Sequence, residues 1–199
     1  MNIKRLFTTS HVKGTENYLD SQKKYEIVRT IIYFGIPLSL FAAGYITTGE
    51  RTNLLTIVAI LGCLPASKSL VGAIMFCKYH SLPNEAAAKL APVTRNLTCL
   101  YDMIFTTHDK TYPVLHMVIC GNTIAGYMPL TKHTEKKLTD TECAEHLITC
   151  LKVDNFTNVT VKIFYDLDKY TERLKQITQL PDNEKLSEGI INTLKSISL

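Results

Sequence analysis

The sequence lacks the short motifs by which several enzyme classes are recognised. It contains no glycine-rich phosphate loop, no HExxH zinc motif, no GxSxG nucleophile motif and no dinucleotide-binding fingerprint. There is also no CxxC pair among its six cysteines, four of which lie in periodic segments typical of buried positions. These absences shift the weight away from an enzyme without excluding one, and the cysteine pattern predicts a reduced, cytoplasmic compartment.

Charged residues are absent from two long stretches near the start of the chain. Residues 30–48 and 53–67 contain no Asp, Glu, Lys or Arg. The first stretch is about as long as a bilayer span, which needs roughly 20 apolar residues. The second apolar segment, 54–77, follows a short turn and is interrupted only by Lys68. The sequence therefore predicts two transmembrane helices, 30–48 and 54–77, and no cleavable signal peptide precedes them.

Three residues of these segments bear on the membrane. Arg29 directly precedes the first span, and Pro37 lies inside it, where proline is tolerated when neighbouring groups satisfy the freed carbonyl. Lys68 has two interpretations. The favoured one places it near the cytoplasmic surface with a snorkelling side chain, and the other places it inside a helix bundle, where it binds an anion or counter-ion.

Small residues four apart predict where the two helices touch. Ser39 and Ala43 form such a pair in the first segment, and Ala59 and Cys63 form one in the second. Pairs of this kind allow close approach of membrane helices. We expect them to pack within the hairpin, with contact between copies as the weaker alternative.

The distribution of charge predicts the orientation. Residues 1–29 carry six basic and three acidic side chains, whereas residues 79–199 carry 13 basic and 14 acidic ones. Basic residues on the outer side of both segments predict that both termini are cytoplasmic in a multi-pass protein of the cell membrane. Since the later part is close to neutral, the pI of 8.7 gives no reason to expect nucleic acid as a partner.

The chain is thus predicted to consist of a basic cytoplasmic tail, 1–29, a transmembrane hairpin, 30–77, and a cytoplasmic α/β domain, 78–199. In that domain, alanine-rich and amphipathic segments alternate with apolar runs rich in β-branched residues. The predicted strands are 100–107, 112–120, 123–129 and 159–165, with helices starting at Asn84, Asp140, Asp166 and Asn183. The fold class is a membrane-anchored α/β (α+β) protein, with a small mixed sheet in the order α-β-β-β-α-β-α.

The element order from Asn84 onward resembles the αβββαβ core of restriction-endonuclease-like nucleases. The resemblance implies a Mg²⁺ site made by an acid at the start of the second strand and an acid-x-Lys triplet on the third. Here the second strand opens with Thr111-Tyr112-Pro113, and the third reads Thr123-Ile124-Ala125-Gly126. Neither has an acid, so no catalytic residue is transferred. If the fold is related, the resemblance implies a domain that has lost this activity.

Two sets of cysteine and histidine side chains deserve a chemical interpretation. Cys143, His146 and Cys150 lie on one side of a predicted helix and offer the atoms that zinc binds, but no fourth ligand is evident. His116 and Cys120 share one face of a predicted strand, as a nucleophilic pair would. Burial in the core explains both sets better, so we predict no metal, no cofactor and no catalytic residue.

The sequence leaves three functional hypotheses. The first is a non-enzymatic module that a membrane hairpin presents to a protein partner or to another copy of itself. The alternative is a membrane-tethered enzyme with a degenerate nuclease-like or other hydrolase domain. The third is a small pore-forming or transport subunit, which requires oligomers because two helices cannot enclose a pore. A composition rich in Ile, Lys, Asn and Thr is typical of a low-GC bacterium.

Overall fold

A computed structural model of the protein describes residues 13–50, 53–130, 140–180 and 183–199. These residues form two compact units. One unit contains residues 19–80, and the other contains residues 13–18 and 81–199.

The first unit is a hairpin of two long helices. Helix α1 comprises Tyr18–Thr48 and helix α2 comprises Leu54–Lys78. Gly49, with a φ of +67°, ends α1, and the Asn53 side chain caps α2 by accepting a 2.8 Å hydrogen bond from the Thr56 amide. Both predicted apolar segments lie inside these helices. Helix α1 begins well before residue 30, so part of the predicted tail is helical.

The two helices touch along a line of small residues with regular spacing. Three contacts seven residues apart define it: Thr30 with Ser69, Pro37 with Gly62, and Gly44 with Leu55. The hydroxyls of the first pair are 2.9 Å apart, and a Cβ on Gly62 would lie 3.3 Å from Pro37. A repeat of seven residues keeps one face of each helix turned toward the other, as in an antiparallel coiled coil.

The prediction about small residue pairs is wrong for three of its four members. Ser39, Ala43 and Cys63 are exposed, and only Ala59 is buried. Spacing of four residues identifies a small face but does not show which face meets the neighbour. In the structure, Pro37 and Gly62 lie in that contact, whereas Ser39 and Ala43 are exposed.

The second unit has the predicted order of elements. Its helices are α3 Asn84–Thr94, α4 Asp140–Val153, α5 Leu167–Ile177 and α6 Glu184–Ile197, and its strands are β1 Thr98–Thr106, β2 Thr111–Cys120, β3 Thr123–Tyr127 and β4 Thr160–Phe164. Asp166 and Asn183 cap α5 and α6 by accepting backbone N–H groups. Helix α3 follows Pro83, and Asn84 is its first residue rather than its cap.

The four strands form one mixed sheet in the order β1-β2-β3-β4. The first three are antiparallel neighbours, and β4 pairs in parallel with β3 after the crossover through α4. Gly121, at a φ of +53°, makes the two-residue turn with Asn122 between β2 and β3. The predicted mixed sheet is confirmed.

Helices cover both faces of the sheet. The apolar sides of α4 and α6 pack on one face around Leu147, Leu151, Ile190 and Leu194, all fully buried. The opposite face is covered by α5, which contacts β3, β4 and α3. The first face holds most of the hydrophobic core, and the second holds the polar groups described below.

Strand β1 changes face in its middle. Side chains of a regular strand alternate, yet Leu100, Met103 and Phe105 all enter the same core. Asp102 makes this change with a φ of +54°, a left-handed conformation that few residues other than glycine tolerate. Its buried carboxylate accepts a 3.1 Å hydrogen bond from the Leu82 amide. The reversal leaves Tyr101 on the face opposite the main core.

Candidate functional site

The most polar part of the second unit's interior is a row of side chains that crosses the whole sheet. Strand register places Tyr101 beside His116, His116 beside Tyr127, and Tyr127 beside Phe164. Tyr170 of α5 lies over this row, and its ring centroid is 5.7 Å from those of His116 and Tyr127 and 5.9 Å from that of Phe164. Of this row, only His116 stands out in the sequence, because neighbours across strands are known only once the register is known.

His116 forms a hydrogen-bonded pair at the centre of the row. Its Nδ1 is 2.7 Å from the Tyr170 hydroxyl, which also lies 3.4 Å from the Ala125 carbonyl oxygen. The imidazole is fully buried, and in the described part of the chain its Nε2 has no hydrogen-bond partner. Burial lowers the pKa of His116 to about 4 and raises that of Tyr170 well above its ordinary value. Both groups are therefore neutral at pH 7, as in a structural polar pair.

A small polar cleft lies beside the exposed end of the row. Glu16, Asn17, Asn84 and Tyr101 supply its polar groups, and it has room for about 50 Å³. Burial, with the charges of Cys99 and Glu16, raises the pKa of Tyr101 to about 12, so the phenol keeps its proton. Sites for small organic molecules span about 300–1,000 Å³. The cleft is therefore too small for a metabolite.

The candidate zinc ligands of α4 do not converge. Cys143 is fully buried among the side chains of the main core, and burial raises its pKa to about 12. His146 and Cys150 are half-buried, with the Cys150 sulfur 3.7 Å from His146 Nε2. Within the described ranges, no three His, Cys, Asp or Glu side chains are placed to hold a metal ion. Cys143 acts as a small apolar core residue.

The two members of the candidate nucleophilic pair on β2 have different partners. Cys120 Sγ lies 3.8 Å from the Leu180 carbonyl oxygen, whereas His116 is bonded to Tyr170. Both side chains are buried. A thiol and an imidazole with these separate contacts do not form an activated cysteine.

The polar tip between β1 and β2 is a solvated turn. His108 and Asp109 are exposed there, with His108 Nδ1 3.2 Å from Asp109 Oδ1. Lys110 forms an ion pair with Glu142 of α4. The tip therefore connects a turn to a helix through this ion pair.

In the hairpin, Arg29 belongs to a buried polar cluster that the sequence analysis missed. Its guanidinium pairs with the carboxylate of Glu26, which also accepts a 3.0 Å hydrogen bond from Gln22 Nε2. Glu26 is only 4% exposed, and the next turn carries the hydrogen bond between Thr30 and Ser69. The sequence indicates this ion pair by the spacing of Glu26 and Arg29, because side chains three residues apart are neighbours on a helix.

Lys68 lies on the exposed surface of α2, whereas Pro37 lies where α1 contacts α2. Lys68 is exposed on α2 and directly precedes Ser69, which faces α1. Pro37 is buried in the contact with Gly62. An apolar groove of about 300 Å³ runs beside this contact and is lined by side chains of both helices, among them Phe34, Phe41 and Ile60.

The two edge strands of the sheet differ in whether another segment of the chain pairs with them. Along β1, the Tyr101 amide donates to the Gly14 carbonyl at 3.0 Å, and the Leu199 amide donates to the Ile104 carbonyl at 2.9 Å. Lys13 Nζ joins these two terminal segments by a 2.8 Å hydrogen bond to the Ser198 carbonyl. Along the outer side of β4, no described segment pairs with the strand.

No protein-family profile, no curated protein and no solved structure matches this chain. The nuclease resemblance thus consists of the confirmed element order alone, since β2 and β3 lack the acids that its chemistry needs. Function has to be inferred from the residues themselves.

Proposed function

We propose that this chain is a two-pass membrane protein whose helical hairpin anchors a cytoplasmic α/β domain, and that the domain binds a protein partner without catalysing a reaction. The observation that supports this most is the location of the exposed apolar side chains. Among the described residues, all but three of the large exposed hydrophobics lie between Ile27 and Ile74. An apolar surface of this extent marks an interaction with membrane or protein.

A soluble core helix would give a different pattern of burial. In each hairpin helix, only 17% of the most apolar 18-residue window is buried, whereas a core helix is mostly buried. Bilayer lipid provides the environment in which such a helix surface is stable.

The length of the apolar surface matches a bilayer. The hydrogen bond between Thr30 and Ser69 puts their neighbours Arg29 and Lys68 at the same level of the hairpin. From that level to the turn, residues 30–48 rise roughly 28 Å at about 1.5 Å per residue. The hydrocarbon core is about 30 Å thick. The two cations fit the cytoplasmic boundary, where the exposed Lys68 snorkels and the positive-inside rule is satisfied.

The interior of the soluble unit supports a binding role over catalysis. Its buried histidine is neutral and bonded to a tyrosine, Cys143 lies in the core, and the cleft beside Tyr101 has room for about 50 Å³. Perturbed groups at active sites face an accessible cleft, whereas His116 and Cys143 face packed side chains. The near balance of 13 basic and 14 acidic residues in 79–199 favours a protein partner over nucleic acid.

Membrane extraction tests the anchor. We expect the full chain to stay in the membrane pellet through washes with high salt and alkaline carbonate, and to dissolve only in detergent. A double variant, Leu38→Lys with Ile60→Lys, places two charges in the middle of the exposed apolar surface. Each charge costs about 3 kcal/mol at the centre of a span, so this variant should leave the pellet.

The matched control is Lys68→Leu, which removes a charge from the same hairpin and should leave the chain in the pellet. Release of the parent chain by carbonate would contradict the proposed anchor. So would retention of the double-lysine variant in a carbonate-resistant form.

A further inference from the structure

The open edge of the sheet is the surface of the soluble unit best suited to a partner. The chain closes the β1 edge at both ends, through Gly14 at Tyr101 and through Ser198 at Phe105. The β4 edge carries no such pairing among the described residues. Exposed strand edges are templates for another strand, and proteins usually cover them or make them repulsive.

The backbone of β4 shows which groups such a strand would meet. The Thr160 amide donates to the Asn122 carbonyl at 2.8 Å, and the Phe164 carbonyl accepts from the Met128 amide at 2.9 Å, so both residues bond toward β3. Since bonding direction alternates along a strand, the N–H and C=O groups of Val161 and Ile163 point to the open side. Their side chains are buried in the main core, which holds this edge rigid.

One side chain defines the chemistry of the edge. Lys162 is exposed in the centre of β4, where its ammonium lies 5.4 Å from the Phe164 ring centroid. Within the described residues no carboxylate forms an ion pair with it. A second copy is a poor occupant, because the register that pairs all of β4 with itself puts two Lys162 side chains opposite each other.

We infer that the β4 edge binds an extended segment of another protein by strand addition, with an acidic side chain of that segment opposite Lys162. Backbone hydrogen bonds to Val161 and Ile163 supply affinity, and the ion pair with Lys162 supplies selectivity. The inference rests on the proposed binding function and specifies its surface.

Hydrogen exchange of the full chain in detergent tests whether the edge is open. In dilute protein, the amide protons of Val161 and Ile163 should exchange fast, while those of Lys162 and Phe164, bonded to β3, should exchange slowly. Slow exchange at all four would show that the edge is already covered and would overturn the inference. Protection of Val161 and Ile163 that grows with protein concentration would indicate self-pairing and would overturn it as well.

Peptides test the occupant. The probes are an eight-residue strand of alternating Thr and Val with a central Glu, and the same peptide with a central Lys. The Glu peptide should slow exchange at Val161 and Ile163, and Lys162→Glu should weaken its binding roughly fivefold and reverse the preference between the peptides. Lys185→Glu, an equal charge change at an exposed site on α6, should alter neither.

Equal binding of both peptides, or no protection of Val161 and Ile163 by either, would reject the acidic strand as occupant. None of these readouts depends on membrane insertion. Failure at the edge with carbonate-resistant membrane binding would therefore remove this surface and leave the anchor intact. Peptide binding at the edge together with release by carbonate would support this surface and remove the anchor.

Discussion

The second unit is expected to lose about 3 kcal/mol of unfolding free energy between pH 6.5 and 4, and His116→Phe is expected to abolish this loss. Burial lowers the pKa of His116 from 6.5 to about 4, so the unfolded chain binds a proton more readily than the folded one. The stabilisation by neutral His116 is complete above pH 6.5. This stabilisation is lost as the pH falls toward 4, at about 1.4 kcal/mol per pH unit.

Denaturant unfolding at pH 7, 5 and 4, followed by tyrosine fluorescence in detergent, measures this loss. The parent protein should lose more stability on acidification than His116→Phe, whereas carboxylates should contribute equally to both. The control is His108→Phe at the exposed turn, which should keep the pH dependence of the parent. Equal acid sensitivity of parent and His116→Phe would show that the imidazole is not held neutral by burial.

Asp102→Ala should cost roughly 2–5 kcal/mol of unfolding free energy, a large share of a typical domain's stability. Two effects add. Alanine in the left-handed region costs about 1–2 kcal/mol. The buried Leu82 amide, which donates to Asp102 Oδ1, loses its acceptor at about 1–3 kcal/mol.

Asp102→Asn is the matched variant, because asparagine keeps the acceptor oxygen and tolerates the left-handed region. It should retain most of the stability, and Asp102→Gly should fall between the two, since glycine relieves the backbone but loses the acceptor. Thermal and denaturant unfolding of the four proteins provide the order. A loss of less than about 0.5 kcal/mol for Asp102→Ala, the range of ordinary surface changes, would contradict a structural role for the reversal.

The order of elements was predictable because each rests on a local pattern. The apolar segments 30–48 and 54–77 are recognised because Lys68 is the one charged residue in them, and the strands are recognised by runs of β-branched and aromatic residues. Caps at Asp166 and Asn183 involve neighbours only two or three residues away. Such local patterns can be recognised without knowledge of the tertiary structure.

The features that define the candidate sites depend on distant partners. The row through His116 requires the register of four strands, and the face change of β1 contradicts the alternation from which faces are predicted. In the sequence Glu26 looks like an exposed charge of the tail, yet its side chain is buried and its carboxylate lies next to Gly72 of α2. Cys143, His146 and Cys150 share a helix side in sequence, yet the core takes only the first.

Labelling of two native cysteines tests the proposed membrane hairpin with its cytoplasmic domain. Cys63 and Cys77 are both exposed on α2, so the protein itself shields neither. Maleimides react with thiolates in water, which the bilayer interior excludes. In sealed vesicles, a membrane-impermeant maleimide should label Cys77 from the cytoplasmic side only, and Cys63 from neither side until the protein is denatured in detergent. Labelling of Cys63 as fast as Cys77 in intact vesicles would show that residues 54–77 do not span the bilayer as proposed, and labelling of Cys77 from the outer side would show that the domain is not cytoplasmic.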